Sequence, residues 1–191
     1  MRKLIAAFKV SLDGKIEGPE GYADWVREWS EDYDLSGQID ACIVGGGMYP
    51  SYERYWTAIQ TAGDEPLPMT GELPTANEAK WGAFAARTPH YVLSTTLAGA
   101  QWPQTGFLRN LDEVAALKKK AGRNIYLMGG GRAAAALIDA GLVDELRLIV
   151  YPLIAGPGKA LFATAARRSN LSLLRAQELG DGLIRLIYMF N

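Results

Sequence analysis

The sequence predicts an α/β protein built on a mixed, mostly parallel sheet, with helices on both faces and an antiparallel edge at its C-terminal end. Three observations carry this expectation. The first two thirds of the chain alternate apolar runs with helical patterns, whereas the last third holds strand patterns alone. Two apolar runs end in consecutive glycines, Gly45-Gly46-Gly47 and Gly129-Gly130-Gly131, and each then opens into a helical pattern. Gly180-Asp181-Gly182 divides the two terminal apolar runs, which is turn chemistry for an antiparallel hairpin.

Taken in order, Leu4 to Val10 reads as a buried strand that stops at the turn Ser11-Leu12-Asp13-Gly14. Gly18-Pro19-Glu20-Gly21 extends the loop. Asp24 then caps an expected helix from about Trp25 to Leu35, in which Trp25, Val26, Trp29 and Tyr33 recur at helical spacing. Asp40 to Val44 is a second buried strand, and Tyr49 to Ile59 is helical with Pro50 near its start. Residues 60–89, rich in proline and glycine, form a long surface excursion with at most a short helix around Asn77 to Ala86. A strand at Tyr91 to Thr95, a helix at Asp112 to Ala121 and a strand at Asn124 to Met128 follow. The helix after the second glycine triplet ends near Gly141, Glu145 to Pro152 is β-rich, and Gly156-Pro157-Gly158 is a loop.

Composition sets the bounds. The 191 residues, 49% hydrophobic and 21% charged, suit a single domain over 1–191 with one well-buried core. A net charge of −1 gives no electrostatic footprint for nucleic acid or an anionic membrane. Lys118-Lys119-Lys120 is expected on the solvated end of a helix, and the lone Cys42 is expected as a small buried hydrophobe. No apolar segment nears the roughly 20 residues of a membrane span, and no signal-peptide pattern opens the chain, so a cytoplasmic location is expected.

Glycines at a strand-to-helix turn let a ligand approach the backbone, and the free N–H groups of the first helical turn attract an anion. In a parallel sheet such turns gather beyond the carboxyl ends of the strands. Both glycine triplets and the turn Ser94-Thr95-Thr96 should therefore border one crevice, a site for a nucleotide cofactor. Other chemistries lack parts: His90 is the only histidine, no Cys/His cluster offers a metal site, and Gly158-Lys159 does not complete a phosphate loop. With a cofactor supplying the reactive chemistry, one carboxyl group at the crevice would suffice as acid. Asp13, Glu28, Glu31 and Asp32 are the candidates, each readable equally as a solvated helix charge or a turn aspartate. Trp25 and Trp29 share an expected helix face, either as core or as stacking surfaces for a planar heterocycle.

Several segments resemble the dihydrofolate reductase superfamily, and most closely its branch formed by the reductase domain of riboflavin biosynthesis, the RibD C-terminal domain. They are Ser11-Leu-Asp-Gly-Lys-Ile16, the spacing of Gly21 to Trp25, Val44-Gly-Gly-Gly47, Ile125-Tyr-Leu-Met-Gly-Gly-Gly131 and Ala140-Gly-Leu-Val-Asp-Glu-Leu-Arg-Leu148. The resemblance covers nearly the whole chain and implies a dihydrofolate reductase-like three-layer α/β/α fold. It also implies NADPH as cofactor and a small heterocyclic substrate, a pterin-like or ribosylaminopyrimidine compound. By position, Gly129, Gly130, Gly131, Arg132 and Ala133 would hold the pyrophosphate, with Gly45, Gly46, Gly47 and Met48 on its other side. Ser94 and Thr95 would lie by the adenosine ribose and its 2′-phosphate, and Ile16 would edge the nicotinamide.

A gap-free count back from Gly45 brings the family's catalytic acid near Trp29, with Glu28, Glu31 and Asp32 as neighbours; Asp32, Glu28 and, in the first turn, Asp13 are the catalytic candidates, and Trp25, Trp29 and Glu53 would face substrate. Where dihydrofolate reductases carry an arginine and a threonine after the second strand, this chain has Gly46 and Met48. It lacks the His/Cys zinc motif of a deaminase domain. The activity implied is that of a stand-alone reductase of 5-amino-6-(5-phosphoribosylamino)uracil, with dihydrofolate reduction, promiscuous small-molecule reduction or nucleotide binding without turnover as alternatives. The apolar final strands offer an edge for a homodimer.

Overall fold

The computed structural model describes residues 1–191 apart from Glu31, Asp32, Ser36 and Met69. Its strands are β1 (Leu4–Ser11), β2 (Lys15–Glu17), β3 (Ile39–Gly45), β4 (His90–Leu93), β5 (Thr105–Leu108), β6 (Asn124–Gly129), β7 (Glu145–Tyr151), β8 (Lys159–Ala160), β9 (Leu171–Gly180) and β10 (Leu183–Phe190). The helices are α1 (Tyr49–Thr61), α2 (Ala76–Arg87), α3 (Leu111–Lys119) and α4 (Gly131–Asp139). Eight strands make one sheet in the order β5-β4-β3-β6-β1-β7-β10-β9. Pairings from β5 across to β7 are parallel, and those of β7 with β10 and β10 with β9 are antiparallel. A separate ribbon pairs β2 with β8.

The apolar runs become the central strands because both their faces are covered. All eight residues of β1 are buried, and their alternation divides them between two core layers. Ile5 and Ala7 join Tyr52 and Trp56 of α1 and Trp81 and Ala85 of α2 on one face. Leu4 and Ala6 join Val114 and Leu117 of α3 and Leu137 of α4 on the other. Truncating such a buried leucine to alanine costs about 2–5 kcal/mol. The hairpin between β9 and β10 turns on Asp181 and Gly182, with φ of 52° and 73°, the paired positive values of a type I′ turn. No helix among the described residues is long and apolar enough to cross a membrane.

The helix expected from Trp25 to Leu35 does not form. Its described residues are turns and bends, and Asp34 has a φ of 64°. The apolar spacing is real, since Val26, Tyr33 and Leu35 are buried, but cations from the sheet hold carbonyls along this segment, that of Glu28 among them, which a helix would use for its own bonds. Arg147 Nη1 donates to the carbonyls of Tyr33 and Asp34 at 2.8 and 2.6 Å, and Lys9 Nζ to that of Glu28. Tertiary partners override local propensity here.

Smaller differences have equally local causes. The pattern does not announce β5, β2 and β8, which at four, three and two residues are too short to show a period. The excursion after α1 is not all surface, since Leu67 is buried and α2 begins with a full capping box between Thr75 and Glu78. His90 starts β4 but is wholly buried, with Nδ1 2.8 Å from the Thr88 carbonyl and Nε2 2.9 Å from the Tyr52 hydroxyl. Lys118 leaves the solvated end of α3, where Lys119 and Lys120 are exposed, to donate to Asp144 at 2.6 Å and to the Leu142 carbonyl. Cys42 is buried and unbridged.

Candidate cofactor-binding site

Strands β1, β6, β3 and β4 lie side by side and parallel, so the turns that follow them meet along one edge of the sheet. Close packing joins these turns. A Cβ on Gly45 would lie 3.2 Å from Ala133 Cβ and 3.3 Å from the Gly130 nitrogen, and one on Gly46 only 2.5 Å from the Ser94 side chain. One on Gly131 would lie 3.2 Å from Ile16 Cδ1, and one on Gly129 would collide with Met48 Sδ. Gly129 also has a φ of 155°, which disfavours any side chain. These glycines let neighbouring turns touch. Gly47 and Gly130 differ, because a Cβ on either would meet open space. The edge is thus packed beneath and bare where a ligand's backbone-hugging group would lie.

Two helices start at this edge, and neither closes its own end. The N-caps of α1 and α4 are Met48 and Gly130, no side chain bonds back to their first-turn N–H groups, and neither first turn holds an acid. The first N–H groups of an α-helix have no intrahelical partner, so both termini present unpaired donors backed by the helix dipole. Arg132, exposed in the first turn of α4, has no hydrogen bond or ion pair among the described residues. Ala133 packs toward Gly45. At β4, Ser94 Oγ accepts from the N–H groups of Thr96 and Leu97 at 3.3 and 3.0 Å, and Thr95 is exposed. All the positions carried over for the cofactor therefore come together, and the donor-rich, acid-free, glycine-bare edge fits a pyrophosphate.

The acids are a different matter. Asp13 is exposed, and bonds from Ser11 Oγ at 2.6 Å and from the N–H groups of Ala155 and Gly156 at 2.9 and 3.1 Å hold its pKa down to about 2. It clips the loop after β1 to the loop after β7, and these bonds favour its ionised form. Glu53 is buried, and its Oε1 accepts from the Tyr49 hydroxyl and from the N–H groups of Gln101 and Trp102 at 2.7, 2.7 and 2.8 Å. It braces the segment around 101–102 rather than facing a substrate. Glu28 is half-buried; burial pushes its carboxyl up, but bonds from Ser30 and Thr75 at 2.7 and 2.8 Å and the Lys9 charge outweigh that and leave it below its ordinary value. Asp32 lies outside the described residues.

Without the expected helix, Trp25 and Trp29 do not share a helical face. Trp25 is half-buried beside Gly18, with its indole N–H buried and unpartnered, while Trp29 is 44% exposed. Two charged side chains near these turns escape the sequence argument. Lys9, the one charge inside the first apolar run, is buried beneath the 18–38 loop and bonds to Glu28; its interruption of that run was a readable signal. Arg109 follows the unannounced strand β5 and reaches the turn after β4. A cavity of about 560 Å³, lined in part by Lys3, Asp139, Arg168 and Phe190, sits at the opposite edge where the strands begin. It borders the end of α4, not its N-terminus, so volume and helix-terminal chemistry are separated.

Known proteins bear on this edge. The family model of the RibD C-terminal domain matches residues 2–185. The uncharacterized Bacillus subtilis protein YyaP is 30% identical over 194 residues, covering 100% of this chain and 96% of its own. A Thermotoga maritima diaminohydroxyphosphoribosylaminopyrimidine deaminase/5-amino-6-(5-phosphoribosylamino)uracil reductase superposes with a TM-score of 0.64 at 13% identity, over 100% of this chain and 57% of that one. Enterococcus faecalis dihydrofolate reductase, solved with NADP(H) and RAB-propyl, gives 0.61 at 16% identity over 99% and 96%. These likenesses are of fold, and the fold is that of dihydrofolate reductase.

Proposed function

Because the chain belongs to the RibD C-terminal domain family, we propose that it is an NADPH-dependent reductase, one catalytic unit over residues 1–191, working in the cytoplasm on a small planar heterocycle. The observation that carries the reading is the meeting of two uncapped helix N-termini, at Met48 and Gly130, over glycines that leave space where a side chain would stand. Gly129 to Ala133 would hold the pyrophosphate from one side and Gly45 to Met48 from the other. Ile16, against Gly131, would edge the nicotinamide. When bound, the cofactor supplies a hydride; the chain binds and orients.

The substrate proposed is a ribosylaminopyrimidine, by likeness to the reductase named for the Thermotoga protein. It would enter under the 18–38 loop, where Lys9 and Glu28 meet. With Asp13 and Glu53 spent on loop bracing and Glu28 held by Ser30 and Thr75, Asp32 is the acid left for a protonation role. Dimerisation is proposed through β9, whose outer residues Leu173 and Leu174 are exposed. Engagement of Asp13, Glu28 and Glu53 also supports a second reading, nucleotide binding without turnover. Absorbance at 340 nm decides between them. Oxidation of NADPH on adding a ribosylaminopyrimidine supports the reductase; oxidation only with dihydrofolate moves the substrate to a pterin. Tight NADPH binding with no oxidation by either selects the binding protein, and no binding of NADPH overturns both.

A further inference from the structure

We infer that Arg109 is the residue that selects the phosphorylated form of the dinucleotide, by gripping the 2′-phosphate of its adenosine ribose. The inference rests on the cofactor reading above and adds a residue that neither motif nor resemblance supplies. The turns form an unbroken row: Ile16 touches Gly131, Gly130 faces Gly45, Gly46 abuts Ser94, and Ser94 meets Arg109. From β1 to β4 this row crosses three strand spacings, roughly 14 Å, which places the end of an extended dinucleotide at the turn after β4.

That turn, Ser94 to Leu97, carries no cation of its own, and neither does the turn of Gly45 to Met48 beside it. Arg109 supplies one from the neighbouring strand. Its Nη1 donates to the carbonyls of Ser94 and Leu97 at 2.7 and 2.8 Å, and its guanidinium carbon lies 4.7 Å from the centre of the Phe107 ring. These contacts fix the plane of the guanidinium and leave Nε and Nη2 without a protein partner among the described residues. A fork held in this way, with donors to spare, meets a phosphate at little ordering cost. The nearest acid, Glu113, takes the Arg109 main-chain N–H at 2.7 Å and the Asn110 amide at 3.1 Å, not the guanidinium. The exposed hydroxyls of Thr95 and Thr96 border the same place.

Arg109 could instead serve only to clamp the turn, and cofactor discrimination separates the two roles. Dissociation constants for NADPH and NADH are measured on the wild type, Arg109→Gln and Arg109→Lys. The expected result is a wild type that prefers NADPH and an Arg109→Gln variant that binds NADPH about 10- to 100-fold more weakly with NADH unchanged within about twofold. Arg109→Lys keeps the charge without the fork and falls between them; it also carries the test if the glutamine variant does not fold. Equal losses of NADPH and NADH show a turn clamp and overturn the inference, as does a wild type that binds both equally. A wild type that binds neither overturns the cofactor reading itself.

Discussion

Helices α2 and α3 begin with side chains that finish their hydrogen bonds, Thr75 with Glu78 and Asn110 with Glu113, and both carry acids in the first turn. Helices α1 and α4, of comparable length in the same fold, begin with Met48 and Gly130 and have neither. Helix α3 follows the parallel strand β5 off the same edge as α1 and α4, so leaving that edge does not by itself account for the contrast. A cap normally contributes about 1 kcal/mol. Its omission at two ends that meet across glycines, and its presence at the other two, is the contrast on which the proposed anion site rests.

The largest effect that tests this contrast comes from closing one open end. In Gly130→Asp the new carboxylate enters space that is empty in the structure, at a φ of −62° and ψ of 162° that suit an N-cap. NADPH affinity is expected to fall about a hundredfold through occupation and repulsion, while the melting temperature holds or rises. Unchanged affinity in calorimetry would break the comparison.

Second in size is a pH effect that should touch the fold and spare the cradle. Burial lowers the pKa of His90 to about 4, against about 6.5 unfolded. The unfolded chain therefore binds the extra proton first, and stability falls as pH drops from 6.5 toward 4. By pH 5 the loss is about 2 kcal/mol. Denaturant titrations at pH 7 and 5 should show this loss and a His90→Gln variant should not. NADH affinity should stay flat across the same range, because backbone N–H groups do not titrate; a parallel drop would tie the cradle to the histidine. The smallest effect comes from opening a closed end. Thr75→Ala should lower the melting temperature by about 2–4 °C and leave NADPH binding unchanged.

Legibility in the sequence followed how much of an element's cause was local. β1, β3, β6 and β7 declare themselves because strands covered on both faces need predominantly apolar runs, and the hairpin does so because its turn needs Asp181 and Gly182. The meeting of the glycine turns at one edge was equally legible, since Gly45, Gly46, Gly129 and Gly131 are required by packing against Ala133, Ser94, Met48 and Ile16. What stayed hidden depends on distant partners. Nothing near Tyr33 announces that Arg147 will take its carbonyl, so helical spacing there misleads. Nothing near Asp13 or Glu53 announces the N–H groups of Ala155 or Trp102 that occupy them. Arg109 was hidden because its partners, the carbonyls of Ser94 and Leu97, lie more than ten residues away and the strand before it is only four residues long.

The central place of β1 bears on how the protein is made. Its eight residues find their strand partners only in β6 and β7, beginning with Leu4 beside Ile125 and Ile5 beside Glu145. At ribosomal rates more than 120 residues of delay between Leu4 and Ile125 amount to on the order of 10 s. During that interval the nascent chain displays Leu-Ile-Ala-Ala-Phe-Lys-Val-Ser with no partner to receive it. Lys9, the single charge in this stretch, then serves a second purpose as a gatekeeper that discourages premature association before it settles under its loop.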